Sequence, residues 1–209
     1  MKAIAYLKPV IFAAALIPAA ALAYGVSLAL VYGDTRHVGA DPLDYITDQT
    51  GWWALTFLMI ALCVTPIRRL TGWNAVIRLR RMLGLFSFFY ALLHMLTWLV
   101  LLNFFDVDAM VKDVIKRPYI TVGMATFLIL SALAMTSNRF AVRVLGRKWQ
   151  TLHRFVYVAA IGGVIHFWWL VKADITEPRR YAVILAVLLA FRVWWAVQKR
   201  SAKTRPAVA

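Results

Sequence analysis

The chain has 209 residues, of which 63% are hydrophobic and 14% are aromatic, and its mean hydropathy is +0.72. Only 16% of the residues are charged, against about 25% in a soluble globular domain, so the composition excludes an ordinary soluble fold. The charge is also one-sided, with 24 Lys and Arg residues against 9 Asp and Glu residues, an excess that in a soluble chain would suggest nucleic-acid binding.

Apolar runs of membrane-helix length explain this composition better. A bilayer core about 30 Å thick needs roughly 20 apolar residues of helix. In chain order, the candidate spans are residues 9–32, 51–67, 82–102, 118–136, 155–171 and 181–198. The stretches between them are too short for an extramembrane domain. The sequence therefore predicts one all-α domain over residues 1–209, a polytopic transmembrane bundle of six helices.

The first span has a second interpretation. Lys2 and Lys8, followed by an apolar run with Ala-Leu-Ala at residues 21–23, are typical of a signal peptide with its cleavage site. The apolar run continues to Val31, however, beyond the roughly 7–15 residues of a signal core. We therefore favour a retained first helix.

Charge predicts the orientation of the bundle, because Lys and Arg are retained on the cytoplasmic side of inserted helices. A cytoplasmic N-terminus places the basic loops 68–81 and 139–154 and both tails inside, and none of these segments contains an acidic residue. All 9 acidic residues then lie outside, within 34–48, 106–113 and 174–177. Both termini are therefore predicted to be cytoplasmic, where anionic headgroups account for most of the basic charge.

Two histidines lie within predicted spans, where ionisable side chains are costly and are functional candidates. His94 follows Arg81 by 13 residues in the third span, and His166 follows His153 by 13 residues in the fifth. At 1.5 Å per residue, both lie about 20 Å beyond these cytoplasmic markers, on two parallel helices. Two imidazoles at one depth are what the axial positions of a haem iron require. The alternative is a pair of buried histidines bonded to backbone carbonyls or hydroxyls.

The other metal-ligating residues are too few for zinc. A zinc site usually has four Cys or His ligands, but Cys63 is the only cysteine, and no carboxylate lies in a predicted span. A single cysteine also excludes covalent CxxCH attachment, so a haem would be bound non-covalently as haem b. With histidine on both sides of the iron, electron transfer is the expected role.

His153 is a candidate ligand of a second haem, about 20 Å from His166 along the fifth helix. The matching depth on the third helix has Arg80 and Arg81 instead of a histidine. On a straight helix the two histidines would point about 140° apart, although a kink at Gly162-Gly163 could restore the angle. The alternative is a histidine at the headgroup interface.

Three further features have weaker interpretations. His37, in the first outside loop, is interpreted as an ordinary loop residue. Arg192 lies within the sixth span, where we expect its side chain to extend to the cytoplasmic interface; pairing with a haem propionate is the alternative. The acidic outside loop 106–113 is a candidate docking surface for a partner, and a plain solvated loop is the alternative.

Several stretches carry a resemblance to a known family. They are GWWAL at 51–55, TP at 65–66, RRMLGL at 80–85, YALLH at 90–94, KRPYI at 116–120, WQTLHR at 149–154 and HFWW at 166–169. In these stretches the chain resembles the ferric-reductase-like transmembrane family and, within it, the MsrQ (YedZ) family of haem-binding membrane subunits. The resemblance covers most of the chain, whereas the first helix is generic.

The resemblance implies an electron-transfer subunit of the bacterial inner membrane, and not the catalytic subunit of its complex. Members of the family receive electrons on the cytoplasmic side, from the quinone pool or a flavin reductase. They deliver these electrons to a periplasmic molybdenum-cofactor enzyme that reduces methionine sulfoxide in envelope proteins. They are also similar in binding b-type haem and FMN.

Carried over to this chain, the family's haem ligands correspond to His94, His153 and His166. An arginine group in the second cytoplasmic loop is a weaker candidate for binding an FMN phosphate or a haem propionate, because arginine binds such anions well. This group consists of Arg78, Arg80 and Arg81. The sequence contains no GxGxxG or other phosphate-binding loop.

Two other functions are the alternatives. Ferric reductases and superoxide-generating oxidases share the helical core, but they normally have two histidine pairs and a fused flavin and nicotinamide domain. This chain has three candidate histidines and a short tail after Gln198. A non-redox transporter or scaffold whose histidines relay protons would instead predict acidic residues inside the spans, and the predicted spans contain none.

Overall fold

A computed structural model of the chain describes the backbone of residues 2–204 and the side chains of residues 6–199. Within these residues the regular secondary structure is entirely helical. The nine α-helices are α1 Lys2–Tyr32, α2 Pro42–Thr71, α3 Arg80–Leu96, α4 Val107–Lys116, α5 Pro118–Met135, α6 Arg139–Leu145, α7 Arg147–His153, α8 Val156–Leu170 and α9 Thr176–Thr204. The cytoplasmic charges predicted at Lys2, Arg200, Lys203 and Arg205 concern side chains outside the described residues.

Five helical stretches among the described residues are long and apolar enough to cross a membrane. They are Tyr6–Tyr32, Pro42–Thr71, Asn74–Leu102, Pro118–Met135 and Thr176–Lys199. The chain is therefore an all-α, multi-pass membrane protein. The predicted span 155–171 forms α8, whose 15 residues reach only about 22 Å, less than the thickness of a bilayer core. The number of six spans and the cytoplasmic termini stay predictions.

Helix α2 begins at Pro42, well before the predicted start at residue 51. The Asp41 carboxylate accepts hydrogen bonds from the amides of Leu43 and Asp44 at 3.0 and 3.1 Å, and Pro42 occupies the first turn, a favourable combination at a helix N-terminus. The apolar run used for prediction cannot reveal such polar turns. As a result, residues 42–50, predicted as loop, are helical and extend α2 past the apolar run.

Two more predicted loops contain helices. The outside loop 103–117 forms α4, where the Asp106 carboxylate accepts a hydrogen bond from the Ala109 amide at 3.0 Å. The inside loop 137–154 forms α6 and α7, and the Asn138 side chain accepts from the Ala141 amide at 2.7 Å at the start of α6. These helices have only 7–10 residues, and α4 and α6 begin at polar N-caps, so a search for long apolar runs does not detect them.

The helices are arranged as two main pairs, since α2 packs most extensively against α3, and α5 against α8. One apolar cluster joins α2 to α5, α8 and α9, and a second joins α2 to α1 and α3. Ala159 and Ala160 on α8 are 0% exposed, which is the small-residue contact that brings membrane helices close together. The many exposed apolar side chains suit a surface that faces lipid.

Helix α1 is tied to α3 by one hydroxyl group. The Tyr90 hydroxyl donates to the Ala15 carbonyl at 2.7 Å and accepts from the Ala19 amide at 3.1 Å. These two backbone groups belong to the turn that contains Pro18, where the proline ring disturbs the helical hydrogen bonds. The hydroxyl therefore satisfies two polar groups that lipid cannot.

Substitution Tyr90→Phe is expected to lower the free energy of unfolding by about 1–3 kcal/mol, because buried backbone groups lose their partner. The measurement is thermal unfolding of the detergent-purified chain. Tyr24→Phe is the matched control, since Tyr24 is an exposed α1 residue, and it should change stability little. Equal stability of the two variants would contradict the role of the Tyr90 hydroxyl.

Candidate functional site

The two predicted intramembrane histidines lie next to each other. His94 near the end of α3 and His166 near the end of α8 have ring centres 6.0 Å apart, and their ring planes are nearly perpendicular at 79°. Both side chains are half-buried. The structure thus brings the two residues together across helices that are far apart in the sequence.

Each of these rings is bonded through Nδ1 to a backbone carbonyl. The Nδ1 of His94 lies 2.9 Å from the carbonyl oxygen of Thr47 on α2, and the Nδ1 of His166 lies 2.7 Å from that of Tyr119 on α5. A carbonyl only accepts hydrogen bonds, so Nδ1 must carry the proton in both rings. Nε2 is therefore left with its lone pair, as in most metal-ligating histidines.

The surroundings of the two histidines repeat. Each bonded carbonyl precedes its histidine by 47 residues, and in each case a glycine follows the carbonyl residue by one helical turn. An added Cβ at Gly51 would lie 3.1 Å from the His94 ring, and one at Gly123 would lie 2.7 Å from Nδ1 of His166. The glycines therefore let the α2 and α5 backbones approach the rings closely.

These carbonyls and glycines were not identified from the sequence. The sequence does contain a signal, which is a repeated spacing. Thr47 lies 47 residues before His94 and Tyr119 lies 47 residues before His166, and each is followed four residues later by a glycine, Gly51 or Gly123. A spacing of four places both residues of each set on one face of a helix. The repeat relates the α2–α3 pair to the α5–α8 pair.

A cavity of about 970 Å³ lies at the other end of these helices. His94 is 13 residues beyond the cavity residue Arg81 along α3, or about 20 Å by helical rise. Five arginines and no acidic residue line the cavity among the described residues, namely Arg80, Arg81, Arg139, Arg143 and Arg154. Of the predicted arginine group, Arg80 and Arg81 line it, whereas Arg78 lies on the neighbouring 3₁₀ turn Asn74–Leu79 and is not a lining residue.

His153 also lines the cavity, and its ring stacks on Trp149 with the ring centres 4.0 Å apart. Its Nε2 lies 3.1 Å from the Thr136 hydroxyl, which itself donates to the Ala132 carbonyl at 2.7 Å. The hydroxyl proton is thus used, so Nε2 of His153 is the donor, unlike Nε2 of the other two histidines. Burial, and then the charge of Arg80, lower the pKa of His153 below its ordinary value, which favours a neutral ring.

The angle of about 140° predicted between the His153 and His166 side chains assumed a single straight helix, and the two residues do not lie on one helix. Helix α7 ends at His153, and the chain turns at Arg154 and Phe155 before α8 begins. Gly162 and Gly163, where a kink was considered, both lie within α8. Gly162 instead makes room for a neighbouring helix, because its Cβ would lie 2.3 Å from the Thr126 hydroxyl oxygen.

The remaining predicted residues line neither site, although Arg192 contacts two residues that line the cavity. His37 is exposed and contacts the Tyr24 ring, with centres 5.9 Å apart. The outside loop 106–113 forms most of α4, where Asp113 pairs with Arg117 at 3.4 Å. Arg192 does not extend freely to the interface: it is half-buried and bonded to the Tyr157 hydroxyl.

These features define a class of protein: a multi-pass helical membrane protein with paired intramembrane histidines and a basic cavity at the other end of the bundle. Comparison with known proteins agrees with this class. Residues 50–164 match the family described as "Ferric reductase like transmembrane component".

Three relatives share the printed name protein-methionine-sulfoxide reductase heme-binding subunit MsrQ. The one from Herminiimonas arsenicoxydans is 50% identical over 198 residues, covering 93% of this chain and 88% of that protein. The one from Ralstonia nicotianae is 52% identical, covering 79% and 78%, and the one from Xanthomonas euvesicatoria is 47% identical, covering 95% and 90%. The chain therefore belongs to the MsrQ family within the ferric-reductase-like transmembrane proteins, which confirms the resemblance seen in the sequence.

Proposed function

We propose that the chain is a membrane b-type cytochrome that passes electrons to a methionine sulfoxide reductase. Its relatives are named as heme-binding subunits of a protein-methionine-sulfoxide reductase. The observation that carries the proposal is the histidine pair, with rings 6.0 Å apart and each Nδ1 bonded to a carbonyl. In this role the chain is the electron-transfer subunit, and the chemistry on methionine sulfoxide belongs to its partner.

The spacing of the two rings fits the axial positions of one iron. A metal–imidazole bond is about 2 Å long and the ligating nitrogen lies about 1 Å from the ring centre, so two axial imidazoles have centres about 6 Å apart. Among the described residues, no group of three or more His, Cys, Asp or Glu side chains could hold a metal ion. Two histidines alone suit a haem, whose macrocycle supplies the other four ligands.

The protein's own groups prepare the pair for this role. The carbonyls of Thr47 and Tyr119 hold the orientation and the tautomer of the two rings, and such bonds raise the basicity of the ligating nitrogen. When bound there, a haem supplies a one-electron carrier. With His94 and His166 both holding the iron, oxygen would have no open coordination position, and the site would suit electron transfer.

The arginine-lined cavity is the proposed cytoplasmic site. Its volume of about 970 Å³ lies at the upper end of the range of about 300–1,000 Å³ for cofactor pockets. These arginines have no acidic partner in the described part of the chain, which favours an anionic group. The propionates of a second haem b and the phosphate of FMN are the candidates. His153 is the candidate ligand for the haem, and its Nε2 would then exchange the Thr136 hydrogen bond for the iron.

The two sites suggest a direction of transfer. We infer that electrons enter on the cytoplasmic side of the bacterial inner membrane, from the quinone pool or a flavin reductase. They leave towards a periplasmic molybdenum-cofactor reductase that repairs oxidised envelope proteins. The outside loop that contains α4 is a candidate docking surface for this reductase.

A ferric reductase or an oxidase-type electron carrier is the second candidate function, because the description of the matching family names ferric reductase. A proton-relaying transporter or scaffold has less support. Helix α2 begins earlier than predicted, so its first two turns contain the acidic residues Asp44 and Asp48. These residues lie at one end of the helix and do not form a proton relay between the histidines.

Transfer between purified proteins tests the proposal. The haem-loaded chain in detergent is reduced with limiting dithionite, and its reoxidation is followed by absorbance. Reoxidation is expected only when a periplasmic reductase of this family and a protein containing methionine sulfoxide are both added. Reoxidation by ferric citrate, with none by the periplasmic reductase, would instead support a ferric reductase. A chain that binds no haem would contradict both functions.

A further inference from the structure

Arg192 is a charged side chain within the C-terminal third of the span Thr176–Lys199. Its Nη1 donates to the Tyr157 hydroxyl at 2.5 Å, and its Nη2 donates to the Leu62 carbonyl at 3.1 Å. The guanidinium carbon also lies 4.9 Å from the centre of the Tyr157 ring. Three helices, α9, α8 and α2, therefore meet at this one side chain.

The charge of Arg192 has no acidic partner within the part of the chain that the structure describes. Its Nε is buried and has no hydrogen-bond partner among residues 6–199, and the nearby charged groups Arg80 and Arg69 repel it. A charge inside a membrane protein is costly unless it is paired and fully hydrogen-bonded. Such residues are retained in membrane spans chiefly where they serve a function.

The position of Arg192 links it to the cavity. Its two acceptor residues, Tyr157 and Leu62, both line the cavity, whereas Arg192 itself is not a lining residue. The Tyr157 hydroxyl uses its oxygen to accept from Arg192, and its own proton has no acceptor among the described residues. A hydroxyl that accepts from a cation is a stronger donor, because hydrogen bonds in a chain polarise one another.

We propose that Arg192 is a positioning residue of the cytoplasmic cavity, holding the Tyr157 hydroxyl so that it donates its proton to an oxygen of the anionic redox group bound there. This inference rests on the proposed function of the cavity. A donor aimed at the bound group favours the form with more negative charge, which is the reduced form. Arg192 and Tyr157 therefore raise the reduction potential of that group.

Redox titration of the full chain in detergent, reconstituted with haem b, tests this role. The cavity haem is defined as the absorbance that His153→Ala removes. Tyr157→Phe and Arg192→Met are expected to lower its reduction equilibrium constant roughly tenfold, which is about 59 mV for a one-electron couple. Arg192→Lys keeps the charge but loses the planar guanidinium group. Its cavity haem should have a reduction potential between those of these two variants and that of the original chain.

Two internal references sharpen the result. The haem of the His94–His166 pair should keep its potential in every variant. Arg69→Met is the matched control, because Arg69 stacks on Trp195 with its guanidinium carbon 4.7 Å from the ring centre and is not a cavity residue. Removing its charge should shift the cavity haem far less than Arg192→Met does.

The outcomes separate this inference from the proposed function. An unchanged potential in Tyr157→Phe, with the cavity haem retained, overturns the role of the hydroxyl even if Arg192→Met shifts the potential by charge alone. If Arg192→Met fails to fold, Tyr157→Phe decides, since it removes one oxygen atom. If His153→Ala removes no haem, the proposed second haem site is wrong, and the inference is overturned with it.

Discussion

Replacing His94 or His166 by alanine is expected to abolish the low-spin absorbance of the haem that the pair holds. Each substitution removes one of only two protein ligands, and among the described residues no third His, Cys, Asp or Glu side chain joins the pair in a possible metal site. The measurement is the reduced-minus-oxidised spectrum of the detergent-purified variants, with haem quantified per chain. Imidazole added to the buffer should restore part of the absorbance, because the ligand then returns without its side chain.

Two other histidines serve as controls for this experiment. His37→Ala should keep all of the haem, since His37 is exposed in a loop. His153→Ala should remove only a part of it, which would establish the second site. Full low-spin absorbance in both His94→Ala and His166→Ala would refute the proposed haem site and, with it, the proposed function.

Gly123→Ala is expected to lower haem affinity roughly 10–100-fold, the usual effect of disturbing the groups around metal ligands. The added Cβ would lie 2.7 Å from Nδ1 of His166 and 2.9 Å from Cε1. A free side chain could move away, but this ring is held by the Tyr119 carbonyl at Nδ1, and a bound iron would hold it at Nε2 as well. The steric clash between the added Cβ and the ring should therefore appear mainly as a lower affinity for haem. The measurement is a haem titration of the purified variant.

Two other helical glycines provide a graded control. Gly51→Ala brings its Cβ only to 3.1 Å from the His94 ring, so its effect should be smaller. In Gly84→Ala the added Cβ has none of the described residues within 4 Å. This variant should keep the haem of the histidine pair, with a gain of up to about 1 kcal/mol in helix stability. Equal haem affinity in the Gly84 and Gly123 variants would show that close approach of α5 does not hold the ring.

The depth of the histidine pair could be predicted because it depends on one number, the rise per residue. Counting 13 residues from the basic markers placed His94 and His166 at one level, and in the structure their rings are neighbours. The angle between His153 and His166 was estimated by assuming one continuous helix, and that assumption does not hold. The chain turns at Arg154 and Phe155, and no apolar pattern marks that turn.

The partners of the histidines could not be predicted by counting. The Thr47 carbonyl belongs to a stretch that looked like an acidic loop, and α2 includes it only because Asp41 and Pro42 start the helix early. Backbone carbonyls and glycines carry no chemical label in a sequence. Their role depends on which faces of two helices meet, and that is decided by packing.

The sequence by itself determined that the chain lies in a lipid bilayer, that it is helical and where most of its spans lie. It also determined that His94 and His166 lie at the same depth, because composition and rise per residue are local properties. It also pointed to the family, which the relatives confirm. Only the tertiary structure decided the rest. The 6.0 Å ring separation, the carbonyls that direct Nε2, the cavity with its five arginines and the Arg192–Tyr157 contact all depend on the rotation of helices about their axes. That rotation results from side-chain packing between segments distant in the chain, which no local pattern records.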